Sequence, residues 1–566
     1  MAALGLVALA GASPATAGGT VHRGPTVRVI VQAPGALAAA ERAVGATGGA
    51  VTAELPIVGG FAASVPAAAL GTLRATPGVV AVTPDEHVSM RDAGQYSYYG
   101  HDVRDLPVPV YRHEVGADRL AAENVTGAGV AVALVDTGVA PVSDLDGAVL
   151  NVADPVTGAP GAMCVNFSGE AGCGDSYGHG TFIAGLIAGS GKASYGAYGG
   201  VAPGAKIVSI KIAGRDGSAD VSKVLAAIQW AVSFKDVYGI RVLNLSLGTD
   251  STADYRHDPL NFAVERAWTS GLAVVVSAGN RGPSARTISK PADDPLVITV
   301  GAVDDRETWG VGDDTLPNFA SRGPTADGRA KPDIAAPGGH VVSLRSPGSH
   351  VEQVAPGGPL SGSPYRRGSG TSQSAGVVSG LAALAFQAHP DWTPDQLKAA
   401  FVATAQQPLT RDPAGIGAGV VDGYAAVHST PTGYRTYSSP VSDGEGTTLA
   451  PGGLEAARGT EHVTGRLCTS YEKMLDSDCD AVEGDETAQG TLYDPYGYTG
   501  SAWNGSSWYS SQWVSGLDGS SWYGSSWYGS SWYGSSWYGS SWYGGTEGSS
   551  WYGAALEGSS WYGVWD

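Results

Sequence analysis

The run Val130-Ala131-Val132-Ala133-Leu134-Val135-Asp136-Thr137-Gly138 decides the fold. Six apolar residues, three of them β-branched valines, end abruptly on an acid and a Thr-Gly turn. Such a run without polar alternation is a strand buried on both faces. Similar runs recur at Ile207–Ile212, Val242–Leu245, Leu272–Ser277 and Val297–Val300, with helix-like segments at 221–234, 259–270 and 373–388 between and after them. Strands alternating with helices at this spacing predict an α/β domain with a doubly wound, mostly parallel sheet. Ligands on such sheets sit beyond the C-terminal ends of the strands, where Asp136 lies.

Working outward, residues 27–33 and 50–65 hold β-rich runs, 36–45 and 66–75 read as helices, and 78–82 is a last strand. The order β-α-β-β-α-β describes a small α+β unit of about 65 residues. After residue 431 the composition shifts to Gly, Ser, Thr, Asp and Glu. Beyond 500 it becomes a repeat: GSSWY occurs eight times, five of them contiguous from Gly519 to Tyr543. This gives a Gly/Ser/Trp-rich low-complexity tail that fits neither a helix stripe nor a one-faced strand.

The chain has 566 residues and a net charge of -20, which disfavours nucleic acid and anionic membranes as partners. Residues 2–12 are almost all small and apolar, and Ala15-Thr16-Ala17 follows, so 1–17 reads as a secretory signal, though no Lys or Arg follows Met1. Four cysteines form two close pairs, Cys164 with Cys173 and Cys468 with Cys479. In an exported chain these read as two local disulfides, and neither spacing suits zinc.

Three short motifs carry chemistry: Asp136-Thr137-Gly138, Gly178-His179-Gly180-Thr181, and Gly370-Thr371-Ser372-Gln373-Ser374-Ala375-Gly376. Singly they read as a turn, a structural histidine and a helix cap. Together they supply a hydroxyl nucleophile, an imidazole base and a carboxylate to orient it.

With these motifs and the runs between them, residues 125–425 resemble the subtilase family. Gly200-Val201-Ala202-Pro203-Gly204-Ala205, Asn244-Leu245-Ser246-Leu247-Gly248, Ser277-Ala278-Gly279-Asn280, Ala320-Ser321-Arg322-Gly323-Pro324 and Lys331–Gly338 carry the likeness. The resemblance implies a subtilisin-like fold and a serine endopeptidase with catalytic Asp136, His179 and Ser372. It implies an oxyanion hole from the Asn280 amide and the Ser372 backbone N–H. Substrate would bind as an added strand between Ser246-Leu247-Gly248 and Gly217-Ser218-Ala219. Protein or peptide is the expected substrate, and no cofactor is required. Structural calcium is left open without a site: Asp144 falls near a ligand position of some members, but 189–199 contains no acid. Gly376 stands where well-known members carry Pro, Val377 where many carry His, and Phe182 at another position often held by His. Gly376 is expected to alter the start of its helix.

The expected organisation is a signal at 1–17, propeptide and linker at 18–112, catalytic domain at 113–430, an extension at 431–500 and the tail at 501–566. The propeptide would inhibit and template its own enzyme, with self-cleavage within 86–112. The tail is read as wall- or glycan-binding, as self-associating, or as a spacer. The whole is expected to be extracellular. The competing reading is a catalytically weak surface or glycan-binding protein on a protease scaffold.

Overall fold

A computed structural model of the chain describes residues 26–90, 110–152, 162–249, 251, 254–355, 360, 363–409 and 411–442, with four short backbone strands beyond. Two compact units result, one containing Gly24–Asp85 and the other Glu86–Asp250 with Leu260–Val441.

The first unit contains β1 (Thr26–Gln32), α1 (Leu37–Ala46), β2 (Ala50–Leu55), β3 (Gly60–Pro66), α2 (Leu70–Arg74) and β4 (Ala81–Pro84). Its sheet has the order β2-β3-β1-β4, and β3 and β4 both pair antiparallel with β1. Val29, Val31, Phe61, Ala63 and Val65 from the sheet meet Ala40, Val44 and Leu73 from the helices in one buried cluster. The β-α-β-β-α-β expectation holds.

The second unit opens with β5 (His87–Ser89), α3 (Tyr111–Glu114) and α4 (Ala117–Ala122). Then come β6 (Ala131–Asp136), β7 (Val165–Asn166), α5 (His179–Ala188), β8 (Lys206–Lys211), β9 (Ser218–Asp220), α6 (Val221–Tyr238), β10 (Ile240–Leu245), α7 (Pro259–Thr269), β11 (Ala273–Ser277), β12 (Ile298–Val303), β13 (Ile334–Pro337), β14 (Val341–Leu344), α8 (His350–Val354), β15 (Tyr365–Gly368), α9 (Thr371–Ala388), α10 (Pro394–Thr404), α11 (Pro413–Ile416) and α12 (Gly423–Val427). Seven strands form one sheet in the order β13-β12-β11-β10-β6-β8-β7. Every neighbouring pair in it is parallel. All six residues of β6 are buried, as the unalternating sequence required. Strand β7 is two residues long and β13 four, ending in Pro, too short to be read as strands from sequence.

Helix α9 is buried from Thr371 to Phe386 and packs on β10, β11, β12 and β13. On the sheet side the Ser374 hydroxyl donates to the Ala336 carbonyl of β13 at 2.9 Å, and the Asn244 amide of β10 donates to the Ser379 hydroxyl at 2.9 Å. A Cβ on Gly376 would lie 3.2 Å from the Ile183 side chain, and one on Gly380 2.6 Å from Val201.

An acidic cluster lies just beyond the C-terminal end of β12. The backbones of Asp304 and Thr315 exchange two hydrogen bonds, which brings Asp305 and Asp314 close to Glu114 of α3. All three acids are buried. Burial, reinforced by neighbouring carboxylates, pushes Asp305 and Asp314 up to about 7 and raises Glu114 well above the usual range. The folded state therefore holds more protons than the unfolded chain between about pH 4 and pH 7, and stability falls as pH rises through that window. In a Ser372→Ala background, Asp314→Asn is expected to raise stability by about 1–3 kcal/mol at pH 8 and to change it little at pH 4. Thermal unfolding at the two pH values measures the difference.

Beyond Ser442, backbone strands β16 (His462–Cys468), β17 (Asp480–Asp485), β18 (Ala502–Trp508) and β19 (Trp522–Tyr523) pair in the order β17-β16-β18-β19. The contiguous GSSWY repeat is outside the described residues except for Trp522 and Tyr523. The expected self-cleavage region also lies outside them from 91 to 109, as does the leader.

Candidate active site

Asp136 ends β6 with its side chain 1% exposed. Both its carboxylate oxygens lie 2.9 Å from His179 Nδ1. The backbone N–H of Thr137 donates to Oδ1 at 2.8 Å, which fixes the carboxylate on the other side. Gly138 turns the chain with φ +102, and a Cβ there would meet the Cys173 carbonyl at 2.7 Å, so only glycine lets this turn close. The Cys164–Cys173 disulfide forms as expected, and the Cys173 carbonyl accepts from the Val139 N–H at 3.2 Å. It ties the 164–173 loop over the end of β6.

His179 is the first residue of α5. Asp175, buried just before that helix, holds its entrance. One oxygen accepts from the Gly178 N–H at 2.6 Å and the Thr137 hydroxyl at 2.8 Å. The other accepts from the Thr181 N–H at 2.8 Å and the Thr181 hydroxyl at 2.7 Å. Thr137 Oγ1 in turn accepts from the Gly180 N–H at 2.9 Å. The unpaired N–H groups of a helix start are thus satisfied by one acid and one hydroxyl.

Ser372 lies in the first turn of α9. The contacts of Gly376 with Ile183 and Leu186, and of Gly380 with Ile187, mean that α9 and α5 run side by side in the same direction. Their first turns, carrying Ser372 and His179, therefore share one end of the sheet with Asp136. The Ser372 hydroxyl donates to the Ser246 carbonyl at 3.2 Å, and the Ser246 hydroxyl donates to the Ser372 carbonyl at 3.0 Å. Asn280 follows β11. Its side-chain oxygen accepts from the Thr371 N–H at 2.9 Å and the Thr371 hydroxyl at 3.0 Å. Occupying the oxygen sets which end of the amide, the NH2, is turned to the site.

A small pocket of about 30 Å³ opens beside Ser372, lined by Ser246, Leu247, Gly248, Gly279, Asn280 and Arg281 among others. Arg281 is the one nearby cation of three that reaches it. Its guanidinium donates to the Thr287 carbonyl at 3.1 Å. Lys290 is buried and paired with Asp293 at 2.7 Å, and Arg286 donates to the Ala326 carbonyl at 3.0 Å. Of Gly217-Ser218-Ala219, Ser218 and Ala219 belong to β9, which pairs antiparallel with β5.

Residues 127–429 match the Subtilase family model, more than half of the chain. The chain belongs to the subtilase family. Residues 16–85 match a model described as "Putative peptidase inhibitor domain". Serine protease AprX of Bacillus subtilis is 40% identical over 306 residues, which cover 53% of this chain and 66% of AprX. Subtilisin E of Bacillus subtilis is 30% identical over 362 residues, 63% of this chain and 78% of that protein. The crystal structure of fervidolysin from Fervidobacterium pennivorans shares the fold with a TM-score of 0.53 at 24% identity, covering 73% of this chain and 62% of fervidolysin. Family membership makes this subtilase a serine endopeptidase.

Helix α9 begins at Thr371 and runs unbroken to Ala388, and a Cβ on Gly376 would lie 3.2 Å from the Ile183 side chain of α5. Asp144 accepts from the Ala193 N–H at 2.8 Å and from the Tyr365 hydroxyl. Among the described residues no group of three His, Cys, Asp or Glu side chains is arranged to hold a metal. Phe182 is packed, as read, with its ring against Gly368. Cys479 lies outside the described residues, and of Cys468 only the backbone is described.

The holding roles of Asp175, Thr137 and Thr371 are not legible in the sequence. Only Asp175 left a signal there, an acid shortly before a helix start. Because Asp175 accepts four bonds while buried, Asp175→Ala is expected to destabilise the protein by about 2–4 kcal/mol, measured by denaturant unfolding in a Ser372→Ala background. Asp175→Asn, which keeps an acceptor oxygen, is expected to recover part of that loss.

Proposed function

We propose that this subtilase is a secreted endopeptidase made as an inhibited precursor, cutting peptide bonds through an acyl-enzyme on Ser372. The observation that carries the reading is the clamp of the Asp136 carboxylate on His179 Nδ1 at 2.9 Å, at the end of the sheet where α9 presents Ser372. A carboxylate there keeps the proton on Nδ1 and leaves Nε2 as the base.

Ser372 Oγ attacks the substrate carbonyl carbon while its proton passes to His179. Charge then collects on the carbonyl oxygen, where the Asn280 NH2 and the Ser372 backbone N–H receive it. The α9 N-terminus adds a favourable dipole. His179 returns the proton to the leaving amine, and water repeats the sequence to release the acid. Substrate backbone runs between Ser246-Leu247-Gly248 and Gly217-Ser218-Ala219. No cofactor enters these steps, and calcium, if used, serves stability alone.

The N-terminal unit acts as inhibitor and folding template, which suits a slow-forming parallel sheet. The Trp-Tyr repeats of the tail offer flat aromatic faces suited to sugar rings, and we place wall or glycan attachment there. The chain is expected to hydrolyse casein and to react with a fluorophosphonate at Ser372. Ser372→Ala is expected to abolish both and to leave the precursor uncut. Undiminished casein hydrolysis by Ser372→Ala would overturn the assignment.

A further inference from the structure

The pocket beside Ser372 is small, polar and flanked by a positive charge. A substrate's carbonyl carbon has to sit at Ser372 Oγ with its oxygen at the Asn280 amide, and both residues line this pocket. The side chain of that same substrate residue branches from the adjoining Cα, one bond away, and so enters the pocket. What the pocket accepts therefore decides which residue can precede the cut.

Ser289 sets the depth. It is buried, and its N–H donates to the Ala278 carbonyl at 3.0 Å, just after β11. A Cβ on Gly279 would lie 2.3 Å from the Ser289 hydroxyl, and one on Gly248 2.8 Å from the Ser289 Cβ. The Ser289 side chain thus stands between the two walls and fills the slot that their glycines leave open. The remaining space of about 30 Å³ holds two or three waters, at about 10–15 Å³ each. A carboxylate group fits such a space and an aromatic ring does not.

Arg281 sets the charge. Its backbone N–H donates to the Ser321 hydroxyl at 3.1 Å, and its guanidinium donates to the Thr287 carbonyl at 3.1 Å, two residues before Ser289. The half-buried cation is braced at both ends against the pocket wall. Lys290, the next cation along, is instead paired with Asp293 at 2.7 Å. The pocket is otherwise lined by hydroxyls, backbone and Leu247, and none of its lining residues is an acid. A carboxylate entering it meets a fixed positive charge, and charge-assisted bonds are about twice as strong as neutral ones. An ammonium meets like charge, and a bulky apolar side chain lacks room and strips water from the hydroxyls.

We propose that this enzyme cuts after acidic residues, with Arg281 reading the charge and Ser289 limiting the size. The inference rests on the acyl-enzyme reading of Ser372.

The test is kcat/KM of the mature enzyme on peptides that differ only in the residue before the cut: Glu, Gln, Asp, Asn, Lys or Phe. At 0.15 M salt the Debye length is about 8 Å, which mutes the chain's net charge of -20. Glu is expected to exceed Gln, and Asp to exceed Asn, by at least about tenfold, with Lys and Phe below the amides. Arg281→Gln is expected to bring both acid-to-amide ratios to within about twofold of one. Each ratio is taken within one preparation, so a loss of folded enzyme cancels. Ser289→Gly is expected to raise Phe relative to Gln by at least about fivefold. Wild-type acid-to-amide ratios near one, or ratios that Arg281→Gln leaves unchanged, would overturn the charge assignment. Fastest cutting after Phe in the wild type, or no gain for Phe in Ser289→Gly, would overturn the size assignment. In all these outcomes a dead Ser372→Ala leaves the acyl-enzyme reading standing, whereas wild-type turnover by Ser372→Ala would overturn that reading itself.

Discussion

The parallel packing of α5 on α9 is the constraint on which the site depends. Neither helix start is a catalytic feature alone. Laid side by side with their first turns at one end, they present His179 and Ser372 together, and β6 delivers Asp136 to the same edge. The close packing favours small residues: a Cβ on Gly380 would lie 2.6 Å from Val201, just beyond α5, and one on Gly376 3.2 Å from Ile183. Burial of Leu381, Leu384 and Phe386 on the same helix contributes about 1.5–3 kcal/mol each. The site's geometry is thus held by core packing, not by loops.

Buried polar groups complete the alignment. Asp175 and Thr137 leave the start of α5 few ways to move, and Thr371 does the same for Asn280. A buried carboxylate is costly unless donors surround it, and Asp175 has four. These supports fix the orientation of groups that the chemistry then uses. The Glu114, Asp305 and Asp314 cluster is the contrasting case, where burial without enough donors is accommodated by retained protons.

Beside this frame, β5 adds to the edge of β9 with Val88 and Met90 buried and the His87 side chain exposed. The Arg281 guanidinium, in the loop after β11, is tied to the Thr287 carbonyl at 3.1 Å.

The sequence by itself determined the strands, because β-branched apolar runs leave no other way to satisfy buried backbone, and β6, β8, β10, β11 and β12 fall within a few residues of those runs. It also determined the order of Asp136, His179 and Ser372, whose residue types are rare enough in that arrangement to be legible. It did not reveal β7 or β13, which are too short to stand out and exist by pairing with neighbours. Nor did it reveal the holding roles of Asp175 and Thr371, which rest on partners brought near only by folding. The packing of Gly376 beside Ile183, distant in the chain, was likewise decided by folding. Tertiary structure alone decided that two helix starts and one strand end converge, because convergence depends on which residues are small where helices touch.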